Sequence, residues 1–219
     1  MVSIRSTVLL TLVVGAAVRA STVLTEDEQK SYSDAFVRQQ KQTKTFQADL
    51  KQTLRLRGLK RPVESEGRLS YRAPDSLLIK FTQPAGEYLL IKGDDVYLKK
   101  ANRPLTHRTS TPGRTGPGQE MRFLLSLFQN GVAEFANEFN VQMSRTDGQL
   151  LVSLLPKKPD PRFPMSAIEN VMELPSLEIR ATKVNFDADN SVSYEFLNPR
   201  RNEPLDATLF EPPAADRKL

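Results

Sequence analysis

The chain has 219 residues, carries a formal net charge of +5 and contains neither cysteine nor tryptophan. The absence of cysteine excludes disulfides, thiolate metal sites, a cysteine nucleophile and the acylated cysteine of a lipid-anchored lipoprotein. The positive charge is too small and too scattered to favour nucleic acid as a partner. With a single histidine, the composition gives no support to a metalloenzyme, and we expect neither a metal nor a cofactor.

The first twenty residues predict a cleaved export signal. Arg5 precedes an apolar stretch at residues 8–18, and the small side chain of Ala20 fits a signal peptidase site. The stretch is too short to span a bilayer, whose hydrocarbon core is about 30 Å thick. We therefore expect residues 1–20 to be removed and residues 21–219 to form one domain in the export compartment.

A helix is predicted directly after this signal, from about Glu26 to Thr43. Thr25 is followed three residues later by Glu28, which is the spacing of a capping box. One helical face carries the larger and less polar side chains, at Tyr32, Ala35, Phe36 and Gln39. This face is expected to cover a core.

Alternation of apolar and polar residues then predicts an antiparallel meander. In TFQADLKQTLRLR, every even-numbered position from Phe46 to Leu56 is apolar except Gln52, which is typical of a strand with one dry and one wet face. A second strand is predicted at about Glu64–Arg72. Three more follow in SYRAPDSLLIKFTQPAGEYLLIKGDDVYLKK, separated by turns rich in proline, glycine and aspartate.

The middle of the chain is predicted to contain a mobile loop and a short helix. Residues 107–120, HRTSTPGRTGPGQE, have the composition of a loop, and this loop holds the single histidine, His107. VAEFANEF, at residues 132–139, is a candidate second short helix. Helical spacing relates the apolar residues between them, Met121, Leu124, Leu125 and Phe128, with Phe123 and Leu127 at the flanks.

The rest of the chain is predicted to return to strands and to complete a large sheet. These strands lie at about Val141–Arg145, Leu150–Leu155, Ile168–Leu174, Leu177–Phe186, Val192–Leu197 and Ala207–Phe210. A proline-rich segment at residues 156–164 interrupts them. About eleven strands with two or three helices give a sheet that tends to curl, and its concave apolar face needs a cover.

No catalytic constellation is recognisable in the sequence. His107 lies in the predicted loop, where nothing would orient it as a base. Asp94 and Asp95 fit turn chemistry better than a catalytic carboxylate pair, and the glycines of PGRTGPG lack the GK[ST] ending of a phosphate loop. Either ordinary core packing or a cavity for a hydrophobic ligand explains the apolar rows.

Several segments, taken in order, resemble the LolA family of periplasmic lipoprotein carriers over nearly the whole chain after the signal. TFQADLKQT resembles the family's Phe-x-Ala-x-Phe-x-Gln strand, and GRLSYRAP is similar to its Gly-x-Leu-x-x-x-Arg-Pro element. LIKFTQP resembles a strand that ends in Gln-Pro, and LLIKGDDVYLKK resembles a turn followed by an aromatic strand. PLDATLFEPP is similar to the closing Asp-x-x-x-Phe-x-x-x-Pro element.

The resemblance implies an α+β, mainly β fold: an incomplete barrel of eleven antiparallel strands closed by a helical lid. It also implies a non-enzymatic periplasmic monomer. This carrier would take the acyl chains of lipoproteins from an ATP-driven inner-membrane transporter to an outer-membrane, LolB-like receptor. The expected cavity lining is Phe46, Leu50, Leu54, Leu69, Tyr71, Leu77, Ile79 and Phe81, with Met121, Leu124, Leu125 and Phe128 on the lid.

The resemblance assigns a further role to Arg72, because an arginine in the family's Arg-Pro motif holds the lid closed through hydrogen bonds. Here Ala73 separates Arg72 from Pro74. Ile79 stands where tryptophan is usual and Leu77 where an aromatic residue is frequent, so the lining stays apolar with a different shape. A carrier of another amphiphile and a lipoprotein-sensing regulator are alternatives. An enzyme acting on lipids would need catalytic groups that the sequence does not show.

Overall fold

The chain forms a large antiparallel sheet with two α-helices, in a computed structural model that describes residues 22–109, 119–129, 138–146, 148–158 and 165–212. Only the backbone is described for residues 108, 109 and 119–123. The strands are β1 (Thr22–Val23), β2 (Thr45–Arg55), β3 (Val63–Arg72), β4 (Ser76–Gln83), β5 (Tyr88–Lys92), β6 (Asp95–Lys99), β7 (Thr106–Thr109), β8 (Phe139–Thr146), β9 (Gln149–Pro156), β10 (Ala167–Glu173), β11 (Glu178–Asn185) and β12 (Ser191–Arg201). The helices are α1 (Glu26–Gln42), α2 (Gln119–Gln129) and the 3₁₀-helix η1 (Ala207–Phe210).

The described strands lie in the order β1-β8-β9-β10-β11-β12-β2-β3-β4-β5-β6-β7. All neighbours are antiparallel, and the pairing of β12 with β2 joins the two halves of the sheet. Since β1 and β7 stand at opposite ends of this order, the described sheet is open. The predicted fold class is confirmed, with twelve strands among the described residues instead of about eleven.

Helix α1 begins where the capping box predicts. Thr25 Oγ1 accepts a hydrogen bond from the Glu28 N–H at 3.3 Å, and Glu28 Oε2 accepts one from the Thr25 N–H at 2.9 Å. The bond from the Thr25 backbone, with a second from the Thr25 hydroxyl to Glu28 Oε2 at 3.0 Å, holds the pKa of Glu28 below its usual range. Phe36 is buried, and Tyr32 and Ala35 pack partly against the same core. The predicted face is therefore the covering face.

One apolar core lies on the concave side of the sheet and includes residues from both halves of the sheet and from both α-helices. The alternate row Leu77, Ile79 and Phe81 of β4 belongs to it, whereas Leu78 belongs to a second cluster on the outer side. Strands so far apart in one sheet can share a core only if the sheet curls. Each fully buried leucine, isoleucine or phenylalanine stabilises the fold by about 1.5–3 kcal/mol.

The predicted last strand, Ala207–Phe210, is wrong, because these residues form η1. Asp206 caps this helix by accepting a hydrogen bond from the Thr208 N–H at 2.9 Å. That bond is the largest of the causes that lower the pKa of Asp206. Phe210 is fully buried against Leu78 on the outer side of the sheet. The apolar residues at this end of the chain thus mark a short docked helix.

The prediction of a mobile loop over residues 107–120 is wrong at both ends, because β7 pairs with β6 at its start and Gln119 and Glu120 already belong to α2. The His107 ring stacks on Tyr97 with 4.4 Å between the ring centroids, and its Nε2 lies 3.0 Å from Asp95 Oδ1. His107 therefore has fixed partners at the edge of the sheet.

Other predictions lie wholly or mostly outside the described residues. These are the export signal, the rest of the loop up to residue 118, the candidate helix at residues 132–139 and the proline-rich segment from residue 159 to 164. Within the described ranges, no helix is both long and apolar enough to cross a membrane.

Gly67 lies where β3 and β4 approach closely, at an irregularity in their pairing. A Cβ at this position would lie 2.4 Å from the Lys80 carbonyl oxygen and 2.9 Å from the Phe81 Cα. Gly67→Ala should therefore lower the free energy of unfolding by about 1–3 kcal/mol, measured by urea denaturation. Gly148→Asn is the control, because its Cβ would meet no described atom within 4 Å and asparagine tolerates the φ of +75°. Equal stability of the Gly67 variant and the wild type would contradict the close approach.

Candidate functional site

The structure brings the predicted lining residues together on the concave face. The ones that are buried in its core are Phe46, Leu50, Leu69, Tyr71, Leu77, Ile79 and Phe81. Leu54 is partly buried and packs against the same core. Their role as the lining of a ligand cavity stays a prediction.

Helix α2 lies over this face. Its buried side chains, all in the same core, are Leu124, Leu125, Leu127 and Phe128. Leu127, expected only at the flank, is among them, whereas the Met121 side chain lies outside the described residues. The Phe128 ring packs against two lining residues, with its centroid 4.9 Å from that of Phe46 and 5.2 Å from that of Tyr71. The helix therefore fills space that an apolar ligand would need.

A polar contact joins the end of α2 to the turn between β3 and β4. Gln129 Nε2 donates a hydrogen bond to the Pro74 carbonyl oxygen at 2.7 Å. Such a bond contributes about 0.5–1.5 kcal/mol net, less than the burial of the Phe128 ring alone. Among the described contacts between α2 and the sheet, the apolar ones therefore contribute most of the stabilisation.

Arg72 lies on the other side of the sheet from α2. Tyr71 faces the core, so its neighbour on the strand faces outward. Arg72 Nη1 donates to the Ala207 carbonyl oxygen at 3.4 Å, and the guanidinium carbon lies 4.6 Å from the Phe210 ring centroid. Among the described residues, these contacts join Arg72 to η1. Its role as a lid latch stays a prediction.

Sequence analysis left half of the concave face unassigned. Strands β8–β12 contribute inner-facing residues to the same core: Phe139, Met143, Leu150, Val152, Leu154, Ile168, Met172, Ile179, Val184, Val192, Tyr194 and Phe196. For most of them the signal was present in their alternate spacing within the predicted strands, whereas Phe139 stood in the candidate helix at residues 132–139. These rows also include a buried polar pair, in which Thr182 Oγ1 donates to Asn170 Oδ1 at 2.8 Å.

The concave face opens beside the last residues of β2 and the first residues of β3 and β12. A cavity of about 340 Å³ lies there, which we call the mouth. Its apolar lining consists of Leu54, Val63, Phe186, Val192 and Tyr194, together with Pro84. Its polar rim consists of Gln52, Ser65, Glu87 and Lys100.

An ion pair stands on the rim of the mouth. Lys100 Nζ lies 2.9 Å from Glu87 Oε2, and the Ala101 N–H donates to Glu87 Oε1 at 3.0 Å. Burial opposes ionisation of Glu87, but these hydrogen bonds together outweigh it and lower the pKa of the carboxyl group. The mouth therefore combines an apolar wall with polar groups that could face the head of an amphiphile.

A larger cleft, about 750 Å³, lies on the outer side of the sheet beside η1. Its lining includes the charged residues Asp49, Lys51, Glu66, Arg68, Lys80 and Asp206, together with Leu197 and Leu205. Many charged groups in contact with an apolar ligand would be costly to desolvate. We therefore place the candidate ligand site on the concave face.

Comparison with known proteins gives a family match and a set of similar folds. The family model for "Outer membrane lipoprotein carrier protein LolA" matches residues 41–213. No curated protein matches the chain in sequence.

Among solved structures, a chain in the Pseudomonas aeruginosa MucA/MucB complex aligns with a TM-score of 0.50 and 10% identity, over 85% of this chain and 62% of that chain. A DUF1329 family protein from Desulfovibrio piger has a TM-score of 0.48 and 14% identity, over 83% and 96% of the two chains. The lipoprotein LppX from Mycobacterium tuberculosis has a TM-score of 0.43 and 14% identity, over 82% and 98%. At such identities, similarity concerns the fold alone.

The Tyr71 hydroxyl should make stability depend on pH in the alkaline range. Burial, with a smaller effect of the Asp75 charge, raises the pKa of Tyr71 to about 12, from 10 for an ordinary tyrosine. The folded-state pKa is the higher one, so the stabilisation is complete below pH 10 and is lost as the pH rises towards 12. Urea unfolding between these pH values should show a shallower fall in stability for Tyr71→Phe, by up to about 1.4 kcal/mol per pH unit. Identical slopes would contradict this role of Tyr71.

Proposed function

Because the chain belongs to the LolA family of outer membrane lipoprotein carrier proteins, we propose that it encloses the acyl chains of lipoproteins against its concave face. The observation that carries this proposal is the continuous apolar surface shared by both halves of the sheet and by α1 and α2. Transport by enclosure needs apolar surface and a cover that opens. It needs no catalytic group or cofactor, so we propose a binding protein and not an enzyme.

Acyl chains fit the chemistry of this surface. Each methylene group that leaves water contributes about 0.8 kcal/mol, so partial enclosure of one chain already supplies useful affinity. A chain would enter at the mouth along Leu54 and Val192, while its polar head stays near Glu87 and Lys100. This orientation keeps the charged rim groups hydrated and places methylene groups against apolar side chains.

The Phe128 ring would have to leave its place for a chain to pass along the whole face. Phe46 and Leu54 are both inner-facing residues of β2, eight positions apart, which corresponds to roughly 26 Å along a strand. The mouth thus lies at one end of the concave face and Phe128 at the other. We propose that α2 acts as the lid and that its closed state is favoured only modestly, so that cargo can also be released.

The remaining steps of transport follow the family. We propose that the protein works in the periplasm as a monomer, receives cargo from an inner-membrane ATP-driven transporter and delivers it to an outer-membrane, LolB-like receptor. A carrier of another amphiphile would use the same cavity. A regulator would bind a protein partner, and the MucA/MucB complex contains a chain of similar fold. Analysis of what copurifies with the protein separates these alternatives.

Replacing Phe128 with alanine should weaken folding and strengthen ligand binding. Removing a buried phenylalanine costs about 3–5 kcal/mol of unfolding free energy. A ligand that no longer has to displace the ring should bind several-fold more tightly. Fluorescence titration with a dansyl-labelled fatty acid and with a fluorescent diacylated lipopeptide measures the affinity, and thermal unfolding measures the stability.

Phe210→Ala is the matched control, because Phe210 is equally buried but belongs to the outer cluster. It should lose comparable stability without any gain in affinity. An equal affinity change in both variants would refute the lid assignment. Failure of the wild-type protein to bind either probe would refute the carrier proposal itself.

A reversible cross-link between the lid and the sheet should block binding. The chain has no cysteine, so Ala73→Cys combined with Gln129→Cys creates a unique pair beside the contact between Gln129 and Pro74. Joining this pair with a short cleavable bismaleimide should abolish lipopeptide binding, and cleavage of the linker should restore it. Each single variant, treated in the same way, is the control. Unchanged binding by the cross-linked protein would mean that this end of α2 does not open.

A further inference from the structure

The turn between β2 and β3 presents apolar side chains to solvent. We call residues 55–63, with the sequence RLRGLKRPV, the rim loop. Leu56 is 41% exposed, Leu59 is 50% exposed and Val63 is 47% exposed. In the described part of the chain, these are three of the five large apolar side chains that are exposed. A soluble protein that concentrates such side chains in one turn usually uses them for an interaction.

The same turn is basic. It contains Arg55, Arg57, Lys60 and Arg61 and no acidic residue. Asp189 faces it from the neighbouring β11–β12 turn and pairs with Arg57 at 2.9 Å. Among the described residues, no ion pair is found for the other three cations. Within the described ranges, Arg55, Lys60 and Arg61 thus have no ion-pair partner, and they lie next to exposed leucines.

Internal hydrogen bonds define the conformation of the rim loop. The Leu59 N–H donates to the Leu56 carbonyl oxygen at 3.1 Å, and Gly58 between them adopts a φ of +88°. The Arg57 N–H donates to Asn190 Oδ1 at 2.8 Å, which fastens the loop to the β11–β12 turn. A surface that is already ordered loses little conformational entropy when it binds.

The rim loop also stands beside the mouth. Val63, its last residue, pairs with Leu54 across β2 and β3, and both side chains line the mouth. A surface that binds the rim loop would therefore lie next to the mouth, the proposed entrance for acyl chains. Acyl chains start and end their transport in a membrane, whose anionic lipid head groups attract basic segments.

We propose that the rim loop docks on the surface of a membrane that contains anionic lipid and turns the mouth towards the bilayer. The arginine and lysine side chains would contact phosphate groups, and Leu56 and Leu59 would enter the boundary between head groups and acyl chains. Two exposed leucines and three basic side chains would give weak, reversible attachment, as a carrier that has to leave requires. This inference rests on the proposed carrier function, because that function brings the protein to a membrane surface at both ends of transport.

Vesicle sedimentation tests the proposal. The wild-type protein should bind vesicles of phosphatidylcholine mixed with phosphatidylglycerol, and it should bind pure phosphatidylcholine vesicles at least tenfold more weakly. Lys60→Glu combined with Arg61→Glu should reduce binding to the anionic vesicles at least tenfold, since each basic residue near such a surface contributes roughly a fivefold factor. Leu59→Ser should reduce it several-fold, and added salt should weaken the wild type more than the charge-reversed variant.

Matched variants elsewhere on the surface are the controls. Lys51→Glu combined with Lys92→Glu makes the same change of charge on other exposed strand positions. Leu197→Ser removes a leucine that is 40% exposed on the outer side of the sheet. Both controls should bind anionic vesicles like the wild type. Equal losses in the controls and in the rim-loop variants would overturn the proposal, because net charge or general hydrophobicity would then explain the binding.

Two further outcomes separate this proposal from its alternatives. Binding of the soluble dansyl fatty acid should be unchanged in the Leu59, Lys60 and Arg61 variants, so the carrier function can hold even if membrane docking fails. Absence of wild-type binding to anionic vesicles would overturn the docking proposal. If the protein instead bound soluble polyglutamate through the same cations, the rim loop would be assigned to an acidic protein partner.

Discussion

The concave face of the sheet has to be kept from water, and most of the molecule follows from that requirement. Strands from both halves of the sheet place apolar side chains on this face, and α1 and α2 are the elements that cover it. The outer side needs far less cover, because its buried cluster is small and η1 supplies Phe210 to it. The positions of α1 and α2 are explained by the apolar surface that they bury. This arrangement also means that any opening for a ligand exposes core residues.

The two ends of the concave face differ in how they are closed. Near Phe46 and Tyr71, the Phe128 ring packs against both side chains, and Gln129 is hydrogen-bonded to the adjacent turn. Near Leu54, the face ends in a cavity with a polar rim. The face is thus filled where α2 packs on the sheet and accessible at the mouth. In the proposed carrier, this difference would give a long ligand one direction of entry, at the mouth beside the rim loop.

Residue alternation was enough to predict most strands and the inner row of β4, because a half-buried strand has to alternate. The capping box of Thr25 and Glu28 placed the start of α1 for an equally local reason. Local patterns failed where a distant contact decides the structure. Phe210 is buried because β4 and β5 offer it a site, and the residues around it are helical. His107 is held in place because its ring stacks on Tyr97 and its Nε2 contacts Asp95. The position of Arg72 relative to α2 and η1 depended on long-range packing in the same way.

The contact between Phe128 and the sheet has a thermodynamic consequence. The apolar surfaces of α2 and of the sheet already shield each other from water. When an acyl chain enters between them, each protein surface exchanges one apolar neighbour for another. Only the surface of the chain itself is then removed from water. The heat capacity change of binding should then reflect the chain alone, and it should be markedly less negative than for a chain that enters an open, hydrated groove. Calorimetry would thus distinguish a protein whose ligand site is filled by its own Phe128 side chain from one whose site is an open, hydrated cavity.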